Sequence, residues 1–177
     1  MRKVIAAEYL SLDGIMSDPA WTSPYFNDEL ASAQRELLFQ SDLLLQGRVT
    51  YEGMSSAWMK SSDEQGFTDR MNALPKRIAT HSSAELTWNA TAIQGDVPAE
   101  VERLRQQNGG HVLIYGSGQL VRSLMQRDLI DEFRLIVCPV VVGSGQHLFT
   151  DGVQATLSLV DITTTSTGVA LMTYRRA

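Results

Sequence analysis

Gly116-Ser-Gly118 interrupts the chain between the apolar run Val112 to Tyr115 and a stretch in which Leu120, Val121, Leu124 and Met125 recur at helical spacing. The pattern reads strand, glycine turn, helix. Glycine lets the backbone approach a ligand closely, and a helix start offers unpaired N–H groups and a partial positive charge. That is chemistry for a phosphate. An ordinary connection with nothing bound fits the same residues. A second junction of this kind follows Asp42 to Gln46, where Gly47-Arg-Val-Thr50 leads into a short helix that Thr50 could cap, running through Met54 to Trp58. Two helix N-termini can hold one pyrophosphate between them.

Other residues could serve the same site. Lys76 to Thr80 reads as a strand leading into His81, Ser82 and Ser83, which could bind a phosphate or ribose or form a solvated turn. Asp13, in Ser11-Leu-Asp-Gly14, is either a turn-forming aspartate or a catalytic one. Trp21, Tyr25 and Phe26 crowd a loop broken by Pro19 and Pro24. They form either the wall of a pocket or a cover for a sheet edge. His111 and His147 read as structural.

The elements that must position these residues follow in order. Val4 to Leu10 is a first strand, and Asn27 caps a helix with an apolar face at Leu30, Ala33, Leu37 and Leu38, ending near Gln40. A short helix covers Phe67 to Leu74, a short strand lies near Thr91, and a helix runs from Pro98 to Gln107. Phe133 to Val142 reads as one apolar strand with a bulge or edge position at Pro139. Thr156 to Thr164 and Val169 to Arg175 alternate as a closing antiparallel pair joined by Ser166-Thr-Gly168. Strands alternating with helices, then a hairpin, predict a mixed sheet with helices on both faces.

Composition narrows the function. The 177 residues suffice for one domain with a real core, and no linker or repeat divides them. A net charge of −5 without basic runs argues against nucleic acid as the main partner. One cysteine, Cys138, allows no internal disulfide and no multi-cysteine zinc site. Met1-Arg-Lys leads too quickly to Glu8 for a signal peptide, and no apolar run approaches a membrane span, so the expectation is a soluble, cytoplasmic protein. No Gly-Lys-Ser/Thr follows a glycine turn, which sets aside a P-loop nucleotidase.

Five stretches in this order resemble the dihydrofolate reductase superfamily, and specifically the reductase-domain branch of riboflavin biosynthesis. They are Ser11-Leu-Asp-Gly14, Leu45-Gln-Gly-Arg-Val-Thr-Tyr51, Ile114-Tyr-Gly-Ser-Gly-Gln-Leu120, Leu129-Ile-Asp-Glu132, and Pro139-Val-Val-Val-Gly-Ser-Gly145 with Leu148-Phe149. The chain is most similar to stand-alone members, since the cysteine and histidine-glutamate motifs of a zinc deaminase are absent. The resemblance implies a three-layer α/β fold over residues 1–177 as one domain, with a mostly parallel mixed sheet and a C-terminal antiparallel hairpin. It implies NADPH as cofactor and hydride transfer to a pterin- or pyrimidine-like heterocycle. Gly47, Arg48 and Thr50 would then meet the pyrophosphate and the adenosine side, with His81, Ser82 and Ser83 near the 2′-phosphate and Arg48 as counter-charge. Gly116, Ser117, Gly118, Gln119 and Leu120 would form the second cradle. Leu12 and Asp13, with Gly14, would lie beside the nicotinamide ribose, and Trp21 with Thr22-Ser-Pro24 would form the substrate-side wall, next to Tyr25 and Phe26. Relatives commonly bury the sheet surface near the closing hairpin in a homodimer.

Two positions depart from the pattern. The acidic residue that commonly precedes the glycine turn is here Tyr115, and neither Asp28 nor Glu29 matches the buried carboxylate that protonates dihydrofolate. The proton donor is therefore left open among Tyr115, Asp13 and a bound water. Two rival readings stand beside the reductase: a non-catalytic nucleotide-binding module of the same fold, and an assembly protein whose glycine turns hold nothing.

Overall fold

The computed structural model describes all 177 residues. Eight strands form one sheet in the order β4-β3-β2-β5-β1-β6-β8-β7. The strands are β1 (Val4–Leu10), β2 (Ser41–Gly47), β3 (Lys76–Ala79), β4 (Ala90–Ala92), β5 (His111–Tyr115), β6 (Glu132–Val137), β7 (Leu157–Thr164) and β8 (Ala170–Arg176). The first six run parallel, and β8 joins β6 antiparallel, with β7 antiparallel on its outer side. Five α-helices complete it: α1 (Asp28–Phe39), α2 (Arg48–Trp58), α3 (Phe67–Ala73), α4 (Val97–Arg105) and α5 (Gly118–Met125). This is the α/β architecture expected, a mostly parallel sheet closed by an antiparallel hairpin.

Strand alternation makes the two cores. On β1, Val4 and Ala6 face a cluster with Val101 of α4 and Leu120, Val121 and Leu124 of α5, while Ile5 and Ala7 face Leu37 and Leu38 of α1 and Met71 of α3. A smaller cluster, Leu30, Ile136, Cys138 and Val169, seals α1 against the hairpin side. At the end of α3 the buried Lys76 ammonium donates to the carbonyls of Met71 (2.6 Å), Asn72 (3.1 Å) and Leu74 (2.7 Å), satisfying a helix terminus that no glycine closes.

Three elements differ from expectation. The strand expected over Phe133 to Val142 ends at Val137, because Pro139 has no N–H to continue the ladder, and Val141 beyond it is exposed. Thr50 is not a cap: Gly47, extended at φ −78 and ψ 161, is the N-cap, so α2 starts at Arg48 and Thr50 stands in its first turn. The proline-broken loop is not irregular either, since Pro19–Tyr25 winds into a 3₁₀ helix begun by Pro19.

Candidate active site

β2 and β5 are neighbours in the sheet, yet the helices that follow them leave on opposite faces. Tyr51, Met54 and Trp58 of α2 join the α1 side, whereas α5 packs on the other. A crevice opens at the carboxyl ends of strands where neighbours diverge in this way, and ligands of open α/β sheets bind there. The cleft in this protein has a volume of 2170 Å³, enough for more than one drug-sized ligand.

The two glycine junctions meet at its floor. Ser117 Oγ accepts the N–H of Gly47 at 2.9 Å, and a Cβ on Gly116 would stand 3.1 Å from Thr50 Cγ2. Gly116 and Ser117 both adopt left-handed backbone (φ 63 and 61), turning the chain sharply from β5 into α5. Helix capping separates these helices from the others. Asn27 accepts from Leu30 at the start of α1, Asp96 accepts from Ala99 at the start of α4, and Asp63 accepts from Phe67 and Thr68 at the start of α3. No side chain caps α2 or α5, and both start at the cleft.

Buried polar atoms without partners also gather here. Six occur in the protein, and three of them, Glu8 Oε1, Arg48 Nη1 and Tyr115 Oη, belong to residues lining the cleft. Such atoms are rare in folded proteins because each forfeits its hydration, so a cluster of them marks a place where a ligand supplies the missing partners.

The structure brings most of the expected residues to this one cleft. Gly47, Arg48 and Thr50 line one wall and Gly116 to Leu120 another. His81, Ser82 and Ser83 are exposed at the rim, where Ser82 N–H bonds Thr80 Oγ1 at 3.0 Å in a local turn. Arg48 is already engaged on one side, its Nε 2.5 Å from Glu52 Oε1.

Leu12 and Asp13 do not line the cleft. Leu12 points to solvent. The Asp13 carboxylate accepts hydrogen bonds from the Ser11 hydroxyl at 2.6 Å and from the N–H groups of Val142 (3.0 Å) and Gly143 (2.7 Å), clasping one loop to another. These bonds hold its pKa down to about 2, so it carries no proton to give near neutrality. Trp21 and Tyr25 likewise turn away, packing on the Leu30 and Cys138 cluster, and Phe26 alone of the three aromatics reaches the cleft. Tyr115 does line it, but burial and then the nearby Tyr9 push its phenol far above the usual range. It can donate a hydrogen bond and cannot readily ionise.

Two residues at the site escaped sequence reasoning. Glu8 is 2% exposed in the middle of the sheet, and burial raises its carboxyl well above the ordinary range against the opposing pull of the Gly116 N–H. A lone carboxylate in the otherwise apolar strand Val4–Leu10 was the signal available. Met16 lies across the start of α5: a Cβ on Gly118 would stand 2.6 Å from its Sδ. Ile15 is held in a bridge to His147, and Ser17 Oγ accepts from Gln146 N–H at 2.9 Å, so Met16 is set between two anchored residues. Nothing in the sequence pairs these segments.

Residues 2–171 match the family model described as the RibD C-terminal domain. The chain belongs to that family. It is 27% identical over 177 residues to YyaP of Bacillus subtilis (strain 168), an uncharacterized protein, covering 98% of this chain and 94% of that one. Among solved structures, a Shewanella sp. PV-4 protein attributed to riboflavin biosynthesis superimposes with a TM-score of 0.76 at 18% identity, covering 99% of both chains. Dihydrofolate reductase from Enterococcus faecalis, complexed with NADP(H), gives 0.69 at 13% identity over 98% of this chain and 96% of that one. At such identities the likeness is one of fold. The RibD C-terminal domain member described here thus has a reductase-type fold, and no helix in it is long and apolar enough to cross a membrane.

Proposed function

We propose that this protein is an NADPH-dependent reductase that reduces a small planar heterocycle of the pterin or pyrimidine type. The observation that carries the reading is the capping pattern: the two helices that begin at the cleft, α2 and α5, are left without side-chain caps, while α1, α3 and α4 are served by Asn27, Asp63 and Asp96. Free N–H groups and two helix dipoles favour a diphosphate between them. Gly47, Gly116 and Gly118 keep the backbone open to it, and the free Nη1 of Arg48 suits a further phosphate at the rim beside Ser82 and Ser83.

A reduced nicotinamide supplies hydride when bound, and this chain supplies position and electrostatics. Tyr115 would donate a hydrogen bond to the bound ring. Phe26 and the α1 residues Ala31 and Gln34 would form the substrate side. The dihydrofolate reductase bound to NADP(H) shares the fold and supports the cofactor reading. We also assign the protein to a homodimer formed through the exposed β7 edge.

One observation favours a second reading. Met16 covers the start of α5, and Glu52 already holds Arg48, as in a module that binds a nucleotide weakly and does not turn it over. The two readings separate in one experiment. Titration of the protein with NADPH by calorimetry is followed by a panel of pterins and pyrimidines, with loss of reduced-nicotinamide absorbance as the readout. Binding with oxidation supports the reductase, binding alone the module, and no binding rejects both.

A further inference from the structure

We propose that the acceptor carries no phosphate: the end of the cleft that receives it takes an uncharged or cationic planar ring and turns away an anionic one. The inference rests on the reductase reading and narrows the substrate of that same site.

The two ends of the cleft differ in charge. The cofactor end has two uncapped helix starts, α2 and α5, with Arg48 beside them. The acceptor end is walled by α1 and by the segment that leads into α3, tied together where Arg35 Nε donates to the Gln65 carbonyl at 3.0 Å. Two helices begin here as well, and both starts are already filled from within the chain. Asn27 caps α1, which carries Asp28 and Glu29 in its first turn. The Asp63 carboxylate accepts the N–H groups of Gln65 (2.8 Å), Phe67 (3.1 Å) and Thr68 at the start of α3. N–H groups spent on a carboxylate are not left for a phosphate.

Side-chain charge acts in the same sense. Asp28, Asp63 and Glu64 line the acceptor end, all exposed, against one cation, Arg35. That guanidinium is already engaged: besides its bond to Gln65, it lies over the Phe39 ring, 4.5 Å from the centroid. Further in, the wall formed by Ala31, Gln34, Met54, Met71 and Tyr115 holds no charge. A phosphate on the acceptor would meet carboxylates at the mouth and no counter-ion inside. Carboxylates set against a competing ligand give specificity by repulsion. What this end does offer is aromatic surface. Trp58 and Phe67 line it as a tilted pair with ring centroids 5.4 Å apart, and Phe26 lines the cleft while 55% exposed. Such faces suit a flat uncharged ring, and a positively charged one as well.

The test compares pairs that differ only by a phosphate: riboflavin with riboflavin 5′-phosphate, and uridine with uridine 5′-monophosphate. The full chain is saturated with NADP+ so that the diphosphate cup is filled, and binding is followed by flavin fluorescence and by calorimetry. The unphosphorylated compound is expected to bind about tenfold or more tightly than its phosphate. Added salt should narrow that ratio in the wild type, because screening weakens repulsion between exposed charges. Asp28→Lys with Glu64→Lys should bring the ratio to about one or reverse it, and the milder Asp28→Asn with Glu64→Gln should fall between. NADPH affinity in these variants should change by no more than about threefold, since its diphosphate lies at the other end. The proposal is overturned by a phosphate that binds as well as its parent, by a ratio that the charge reversals leave unchanged, or by binding of neither parent compound. A gain for NADPH as large as that for the phosphates overturns it too. A wild type that binds no NADPH rejects the reductase reading itself, whereas NADPH binding with a preference for phosphorylated rings rejects only the restriction on the acceptor.

Discussion

The Ser117 hydroxyl accepts the N–H of Gly47 at 2.9 Å and so ties the two glycine junctions together at the floor of the cleft. It does so from a left-handed backbone at φ 61, a conformation that costs a non-glycine residue about 1–2 kcal/mol. The bond and the strain oppose one another, and substitutions can separate them.

Ser117→Ala loses the bond and keeps the strain, so it should lower stability by about 1 kcal/mol. Ser117→Gly loses the bond and releases the strain, and should fall closer to wild type. Urea unfolding of the three proteins measures both. Equal losses in the two variants would show that the backbone at 117 is not strained.

Gly118 and Met16 make a second separable pair. The thioether is the far end of a flexible side chain, so Gly118→Ala can push it aside at little cost to the free protein. The added methyl remains in the cup, however, where a diphosphate oxygen would approach the helix start. Melting temperature should move little, while the stabilisation conferred by saturating NADPH should shrink. Met16→Ala should do the reverse and tighten binding, because it removes the group that occupies the cup. Weaker binding in Met16→Ala would make Met16 part of the site rather than its cover.

Much of this site was legible in the sequence because it depends on local backbone. Gly116-Ser-Gly118 and Gly47 sit between an apolar strand and an amphipathic helix, and that order alone predicts two helix N-termini at the carboxyl ends of strands. What was not legible depends on distant partners. The Asp13 carboxylate looks free until Val142 and Gly143 arrive beside it, and Met16 reaches Gly118 only because Ile15 pairs with His147. Trp21 and Tyr25 fit either a pocket wall or a sheet cover by their types, and the 3₁₀ turn begun at Pro19 decides for the cover by setting them onto Leu30 and Cys138. The apolar run after Pro139 suggested strand by composition alone, where the missing N–H decided otherwise.

Asp13 predicts a specific acid response. Its folded pKa of about 2 lies below the roughly 3.9 of an unfolded aspartate. The stabilisation it provides is therefore complete above about pH 4 and is lost as pH falls through 2. Asp13→Asn should make the fall in stability across that window shallower. Asp63, depressed to about 2 by its bonds at the start of α3, keeps part of the slope. Urea midpoints at successive pH values check this, and an unchanged slope would mean that the clasp on Val142 and Gly143 does not persist in solution.

β7 is the outermost strand, so one row of its backbone N–H and C=O groups has no partner in the sheet. Soluble proteins usually protect such an edge with lysine, proline or a short strand. Here the strand runs eight residues, carries only Asp161 as a charge, and exposes Leu159 (50%), Val160 (47%) and Ile162 (51%). A second copy of the chain laid against it would cover those side chains by a two-fold arrangement that closes on itself. Sedimentation velocity should find a dimer at micromolar protein, and Leu159→Lys with Ile162→Lys should shift it to monomer. Because three strands (β5, β1 and β6) and then β8 separate β2 from β7, the lysine variant should still bind NADPH like wild type. A wild type that sediments as a monomer at those concentrations would refute the pairing.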